Sequence, residues 1–357
     1  VTFTDAASGT IQRQVSLVLS ESGICIEGMQ TNLNTNYVRR VKRIEYSTGA
    51  PKTKPSGLQS EVLDRIRQQS KVASERALKE PNSFINNVKD FQHICRWLAG
   101  AAALHINFDP FGETDTLAKI TEDLEGRYLN LFELHAKDRG AKGGGSNDLQ
   151  ERKKWEDVFF PEYKNVEPQR RPKYGNVNPL AHRLGDHESA NYGASYFILK
   201  PEVRQHCTIT SDDTCNIEGD VQIGTIENIA HVLLDVLKNI EDKNHQERFL
   251  QTLVMLSNGC PDTELSIADA DLLHTHLKSI LMEVQVHNDI RIADDVTMVV
   301  LCKEDVKKVM NDEKKQEVVA QFRQKFNLEV CQITEAGQVV PVGSFSEQDT
   351  TSSSSSS

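Results

Sequence analysis

Glu283, Gln285 and His287 alternate with Met282, Val284 and Val286 in the run Ile280-Leu281-Met282-Glu283-Val284-Gln285-Val286-His287-Asn288. Strict alternation marks a β-strand, whose successive side chains point to opposite faces. The apolar set turns towards a core, and Glu283, Gln285 and His287 share the other face at intervals of about 6.5–7 Å. A carboxylate, an amide and an imidazole in such a row can hydrogen-bond and polarise a sugar or an amide. The plainer reading of the same spacing is a solvated strand face.

Glu283 is the one strongly placed acid. Glycosidases use two carboxylates about 5–10 Å apart, and only Asp294 and Asp295, beyond the strand, offer a second. A single carboxylate suits a different reaction, in which it holds a ribose hydroxyl and opposes positive charge developing at the anomeric carbon. No P-loop, HExxH zinc motif or GxSxG nucleophile elbow is present. His274 and His276, at i and i+2, fall short of a metal ligand set. His206 and Cys207 are adjacent and point apart on a strand, so they form no nucleophile–base pair.

The elements that must position these residues follow from the same kind of reading. Residues 1–55 carry short apolar patches such as Val15–Leu19, a basic cluster (Arg39, Arg40, Lys42, Arg43, Lys52, Lys54) and a linker at Pro51 and Pro55. Helical spacing of Leu58, Val62, Ile66 and Leu78, then of Phe84, Val88, Phe91, Cys95 and Leu98, predicts two helices around the capping signal Pro81-Asn82-Ser83. Further strands are expected at 105–110, 128–134, 193–199, 207–210 and 296–301, with helices at 116–126, about 155–159, 226–240 and 246–256. Lys142–Asp148, with three glycines, reads as a mobile loop whose backbone N–H groups can approach a phosphate. Arg170–Pro179, rich in basic and amide side chains, reads as a ligand-facing loop. The tail from Gly343, ending in six serines, cannot form a core and is expected to be disordered.

Composition bounds the function. Of 357 residues, 38% are hydrophobic and 26% charged, as suits a soluble globular protein, and the helices and strands read above place it in the α+β class. The net charge of −11 argues against nucleic acid as a partner, and no apolar run reaches the roughly 20 residues that span a bilayer. Seven scattered cysteines without a CxxC pair read as reduced thiols. The chain opens at Val1, where a trimmed leader is expected.

Several pieces stand in a telling order: His105-Ile106-Asn107-Phe108-Asp109-Pro110, Gly126-Arg127-Tyr128, Gly145-Ser146-Asn147, Arg171 to Asn178, Ser195 to Pro201, and Glu283-Val284-Gln285-Val286-His287. In order and spacing, the stretch from about His105 to Val296 resembles the CteC-type bacterial effector family, ADP-ribosyltransferases that modify threonine on ubiquitin. Besides the N-terminal segment and linker (1–55), the helical region (56–103) and the serine-rich tail (343–357) read from the residues, the resemblance implies an ADP-ribosyltransferase-like split β-sandwich with flanking helices over 104–342. It implies NAD as co-substrate, no metal, and ubiquitin as protein acceptor, with no nucleic-acid or membrane partner. Glu283 would be the catalytic glutamate, with Gln285 and His287 orienting it or the acceptor. Arg127, Arg171 and the Gly145-Ser146-Asn147 turn would contact the pyrophosphate, the two arginines being alternatives. Tyr174 would stack on a ring. Asn178 and Ser195 would belong to the cofactor site, with Tyr196 on the opposite face from Ser195. The protein would be secreted by a bacterium and act in the host cytoplasm, blocking ubiquitination. An NAD glycohydrolase, or a non-catalytic module binding a host protein through helices 58–98 and 225–256, are the alternatives.

Overall fold

The computed structural model describes residues 54–79, 88–112, 115–136, 149–182, 184–185, 188–215, 222–258, 272–273, 280–333 and 339–342, with strand segments 2–4, 12–19, 25–32 and 37–42. The chain divides into two compact units, Val1–Gly49 and Ala50–Ser357. In the first, β1 (Thr2–Thr4), β2 (Gln12–Leu19), β3 (Cys25–Asn32) and β4 (Tyr37–Lys42) form an antiparallel meander.

The second unit contains α1 (Gly57–Lys79), α2 (Val88–Gly100), β5 (Ala103–Phe108), α3 (Thr116–Glu122), β6 (Arg127–Tyr128), α4 (Leu131–Ala136), α5 (Leu149–Phe159), β7 (Lys173–Asn178), β8 (Ser195–Leu199), β9 (Cys207–Thr210) and β10 (Ile223–Thr225). There follow α6 (Ala230–Asn239), α7 (Lys243–Ser257), β11 (Glu283–Val286), β12 (Ile290–Arg291), β13 (Val296–Leu301), two helices (Lys303–Met310 and Glu313–Phe326), β14 (Val330–Ile333) and β15 (Val339–Pro341). Nine strands form one mixed sheet in the order β10-β9-β11-β7-β5-β8-β13-β14-β15. Among the described strands only β13 and β14 pair in parallel, and the two helices between them make the crossover that a parallel connection requires. The fold is a mixture of helices and a large mixed sheet, compatible with the α+β class.

The pleat sorts the side chains. Leu104, Ile106 and Phe108 of β5, Val177 of β7, Phe197 and Leu199 of β8, and Val284 and Val286 of β11 share one face and one hydrophobic core. Phe91, Ile94 and Leu98 of α2, Val232, Leu233 and Val236 of α6, and Phe249 and Leu253 of α7 belong to that core as well. The predicted helical region is therefore continuous with the sheet domain. Val62 and Ile66 of α1 instead join Phe160 and Tyr163 in a smaller core.

Two expectations fail, each for a local reason. The strand expected at 128–134 ends at Tyr128 and gives way to α4. Asn130 Oδ1 accepts from Glu133 N (2.9 Å) and Glu133 Oε2 accepts from Asn130 N (3.1 Å), a reciprocal cap that starts the helix. The expected ligand-facing loop at 170–179 contains the central strand β7. Two of its polar side chains are spent inside the protein: Lys173 Nζ lies 3.0 Å from Asp289 and 3.6 Å from Glu133, and Asn178 Nδ2 donates to His182 O. A Cβ on Gly175 would meet His105 O at 2.3 Å, so glycine lets β7 lie against β5. The glycine loop 142–148 and the serine tail lie outside the described residues.

α1 is tied to α6 by one hydroxyl. Ser74 Oγ accepts from Ala230 N (3.1 Å) and lies 3.1 Å from His231 Nδ1. His231 Nε2 is 2.9 Å from Ile223 O, which can only accept, so Nε2 carries the proton and Ser74 donates to Nδ1. Ser74→Ala strands both partners and is expected to cost about 1–3 kcal/mol, read as a lower urea midpoint with an unchanged m-value.

Candidate functional site

Burial decides the character of the Glu283 face. Glu283 is 5% exposed and Gln285 and His287 are 0% exposed, so the row is not a solvated strand face. The register sets Glu283 between Thr210 of β9 and Asn176 of β7, and Gln285 between Thr208 and Tyr174. His105 and Asn107 of β5 extend the same face.

The hydrogen bonds along this row have only one possible direction. Gln285 Oε1 can only accept, so Thr208 Oγ1 gives it its single proton (2.8 Å). His287 Nε2, 2.8 Å from Thr208 Oγ1, must then be the protonated nitrogen and donate. Nδ1 is left as the acceptor, and Tyr163 OH donates to it at 2.6 Å. Gln285 Nε2 spends its two protons on Thr210 Oγ1 (3.1 Å) and Glu283 Oε1 (2.8 Å). The chain Tyr163 → His287 → Thr208 → Gln285 → Glu283 thus ends on the carboxylate. Burial lowers the His287 pKa to about 3, helped by Arg65 and His206, and keeps the imidazole neutral as the chain demands.

Glu283 Oε1 also accepts from Thr214 Oγ1 (2.8 Å) and Thr214 N (3.3 Å). Three donors converge on one oxygen, and no described residue hydrogen-bonds to Oε2. Glu283 lines a cavity of about 150 Å³ together with Asn107, Lys119, Arg127, Arg152, Asn176 and Tyr192. Burial pushes the carboxyl pKa up to about 8, with Asp213 adding to it; Arg152, Thr214 and Gln285 pull the other way. The Arg152 side chain is 13% exposed. Burial alone would lower its pKa, but Tyr174, Glu283, Glu156 and Tyr192 outweigh that and raise it, so it stays a cation. Its guanidinium stands 4.0 Å from the centre of the Tyr174 ring.

The predicted residues fall into three groups. Glu283, Arg127 and Tyr174 line the cavity. Arg127 is ion-paired to Glu125 (2.9 Å) and Glu133 (3.5 Å), and Tyr174 donates to Glu156 Oε1 (3.0 Å). Gln285 and His287 stand behind Glu283 in the row and are absent from the cavity lining. Arg171, Asn178 and Ser195 are placed elsewhere. Arg171 is buried against Glu156 (2.6 Å) and donates to Tyr163 O (3.0 Å), which makes it a core ion-pair partner. Asn178 accepts from His182 N and donates to His182 O, closing the turn after β7. Ser195 is opposite Phe108 on the core face, where its hydroxyl donates to Asp305 Oδ2 (2.6 Å). Tyr196, its neighbour, is on the Glu283 face and stacks on His105 with centroids 4.3 Å apart. Gly145, Ser146 and Asn147 lie outside the described residues.

Sequence reasoning missed Arg152, Asn107, Asn176, Tyr192, Thr208 and Tyr163. Thr208 had a signal, since Cys207-Thr208-Ile209-Thr210 alternates like the Glu283 strand. Arg152 had none, standing in the ordinary charged helix run Glu151-Arg152-Lys153-Lys154. Among the described residues there is no group of three or more His, Cys, Asp or Glu that could hold a metal ion, and no helix long and apolar enough to cross a membrane.

A protein family described as "Protein of unknown function (DUF3626)" matches residues 102–341, more than half of the chain. The chain belongs to this family. No curated protein matches it. The DUF3626 span contains every residue of the cavity and of the hydrogen-bond chain behind it, whereas α1 and α2 both precede the span.

Two outcomes follow from the burial of charge. Below the ordinary glutamate range Glu283 is protonated in folded and unfolded chains alike. From there up to about 8 only the unfolded chain ionises, so the wild type loses stability as pH rises through that window. Glu283→Gln, whose Oε1 can keep all three donors, is expected to gain on wild type by roughly 2–5 kcal/mol between pH 5 and 8.5, read as a widening difference in melting temperature. Arg171→Met strips the buried Glu156 of its closest ion-pair partner, and is expected to cost about 3–5 kcal/mol by urea denaturation.

Proposed function

We propose that this protein is an NAD-dependent mono-ADP-ribosyltransferase whose acceptor is a threonine hydroxyl of ubiquitin. One observation carries the proposal. Glu283 has one oxygen held by three donors and the other free of any hydrogen bond from a described residue, on a cavity that Lys119, Arg127 and Arg152 also line. A fixed carboxylate beside cations suits a substrate that carries a pyrophosphate and develops positive charge on a sugar. Glu283 Oε2 would hold a ribose hydroxyl and oppose the charge at the anomeric carbon. Arg152 and Arg127 supply the cations for the phosphates, and Arg171, spent on Glu156, is set aside for that role. The bond from ribose to nicotinamide breaks with its electron pair leaving on nicotinamide, the threonine oxygen bonds the same carbon, and the hydroxyl proton passes to solvent.

Gln285 and His287 act through Glu283 in this reading. The chain from Tyr163 delivers one N–H to Oε1 and leaves the carboxylate a single orientation, so none of its freedom is lost again at the moment of reaction. An ADP-ribosyltransferase-like fold belongs to the same proposal, as does a role as a bacterial effector secreted into the host cytoplasm, where the modified ubiquitin would no longer serve ubiquitination. The resemblance to the CteC-type family supports the acceptor.

The test is to incubate wild type and Glu283→Gln with NAD and ubiquitin and to weigh intact ubiquitin. A gain of one ADP-ribose is expected with wild type, slowed roughly 100-fold or more with the variant. NAD loss without a mass gain would replace the transferase by a glycohydrolase, and no NAD loss at all would replace it by a non-catalytic binding module. Because the carboxyl must be ionised to oppose positive charge, kcat/KM for NAD is expected to rise with pH and level off above about 8.

A further inference from the structure

Asn176 stands directly across the β7–β11 ladder from Glu283 and lines the same cavity. Its amide is oriented from outside. Gly193 O can only accept, so Asn107 presents Nδ2 to it at 2.8 Å. Asn107 Oδ1 then faces Asn176, whose Nδ2 donates to it at 2.9 Å. Turning either amide over would set two acceptors, or two donors, against each other. Gly193 anchors the series: its φ is +127°, and a Cβ there would stand 2.1 Å from Phe108 O, so only glycine holds this carbonyl above Asn107.

What remains is Asn176 Oδ1, a buried acceptor with no hydrogen-bond partner in the protein. Neighbouring donors are already committed. Gln285 gives both amide protons to Thr210 and Glu283, Thr214 its hydroxyl to Glu283, Tyr174 its hydroxyl to Glu156 and Tyr192 its hydroxyl to Asp213. A buried acceptor left without a donor is costly, and the amide lock prevents it from turning away.

We infer that Asn176 is a specificity residue: its Oδ1 accepts one hydroxyl of a ribose cis-diol whose neighbouring hydroxyl goes to Glu283 Oε2. Residues directly opposed on antiparallel strands hold their Cβ atoms about 4.5–5.5 Å apart, so the two acceptors stand side by side, as two adjacent hydroxyls of one ring require. The inference rests on the ADP-ribosyltransferase reading for the identity of the sugar. The amide lock and the orphan acceptor are independent of it.

Calorimetric titration of wild type and Asn176→Ala tests this with NAD, with the two analogues that each lack one nicotinamide-ribose hydroxyl, with ADP-ribose and with nicotinamide alone. Asn176→Ala is expected to bind NAD roughly 10- to 100-fold more weakly, and one monodeoxy analogue is expected to bind both proteins equally. Unchanged NAD affinity, or the same loss for both analogues, overturns the inference. So does an Asn176-dependent affinity for nicotinamide alone, which would make the contact a carboxamide. ADP-ribose bound in an Asn176-dependent way without any NAD turnover would keep the diol contact and sink the transferase. No binding of any riboside to wild type would overturn both. Should Asn176→Ala not fold, Asn107→Leu frees the Asn176 amide to turn, and the same selective loss is expected with a smaller factor.

Discussion

A carboxyl group buried in the middle of a sheet is the constraint that the rest of this structure answers to. A carboxylate taken out of water loses its hydration and needs replacement donors of fixed direction. Here they come from Thr214 and from Gln285, and Gln285 is itself held by Thr208 and Thr210. Gln285 Oε1 can only accept, and this sets the direction of the bonds behind it through Thr208 and His287 to Tyr163. The result is a polar layer in which the orientations from Tyr163 to Glu283 are set together, and not chosen separately by each side chain.

Charge burial recurs behind the site and is handled by pairing. Glu156 accepts Arg171 at 2.6 Å and Tyr174 at 3.0 Å, and Lys173 lies within 3.6 Å of Glu133 and 3.0 Å of Asp289. These pairs hold β7 against α4 and α5, the helix that supplies Arg152. Buried pairs add little net stability, but removing one partner is costly, so they specify geometry more than they strengthen the fold. The cation at the cavity belongs to the same network, since Arg152 Nε stands 3.8 Å from Glu156 Oε1.

How much of this could be read in the sequence depends on periodicity. The Glu283 strand, its polar face and the helices along 58–98 and 226–256 were legible because alternation and helical spacing are local signals. β7 was misread as a loop: Lys173, Asn176 and Asn178 look solvent-seeking until their partners, from Asn107 to Asp289, are in place. The segment at 128–134 was misread as a strand because an Asn-x-x-Glu cap outweighed its apolar content. Arg171 and Arg127 were indistinguishable as phosphate contacts, since only tertiary packing spends the first on Glu156 and leaves the second beside the cavity. Ser195 and Tyr196 were assigned to the wrong faces, because a strand's pleat gives the alternation but not which side meets the core.

The order of the strands carries a consequence for how the protein acquires its chemistry. Glu283 pairs with strands that precede it by about a hundred and by about seventy residues, and its hydrogen-bond chain begins at Tyr163. Loops of that length must close before any of these contacts repays its entropy. β11 enters between β7 and β9 as an inserted strand, so the carboxyl remains hydrated until both flanking ladders are zipped. No contiguous stretch much shorter than the β5–β11 span holds the constellation, and a ribosome still short of residue 283 carries a chain with a sheet begun and no site. The Glu283 constellation therefore assembles only after the chain has passed residue 283.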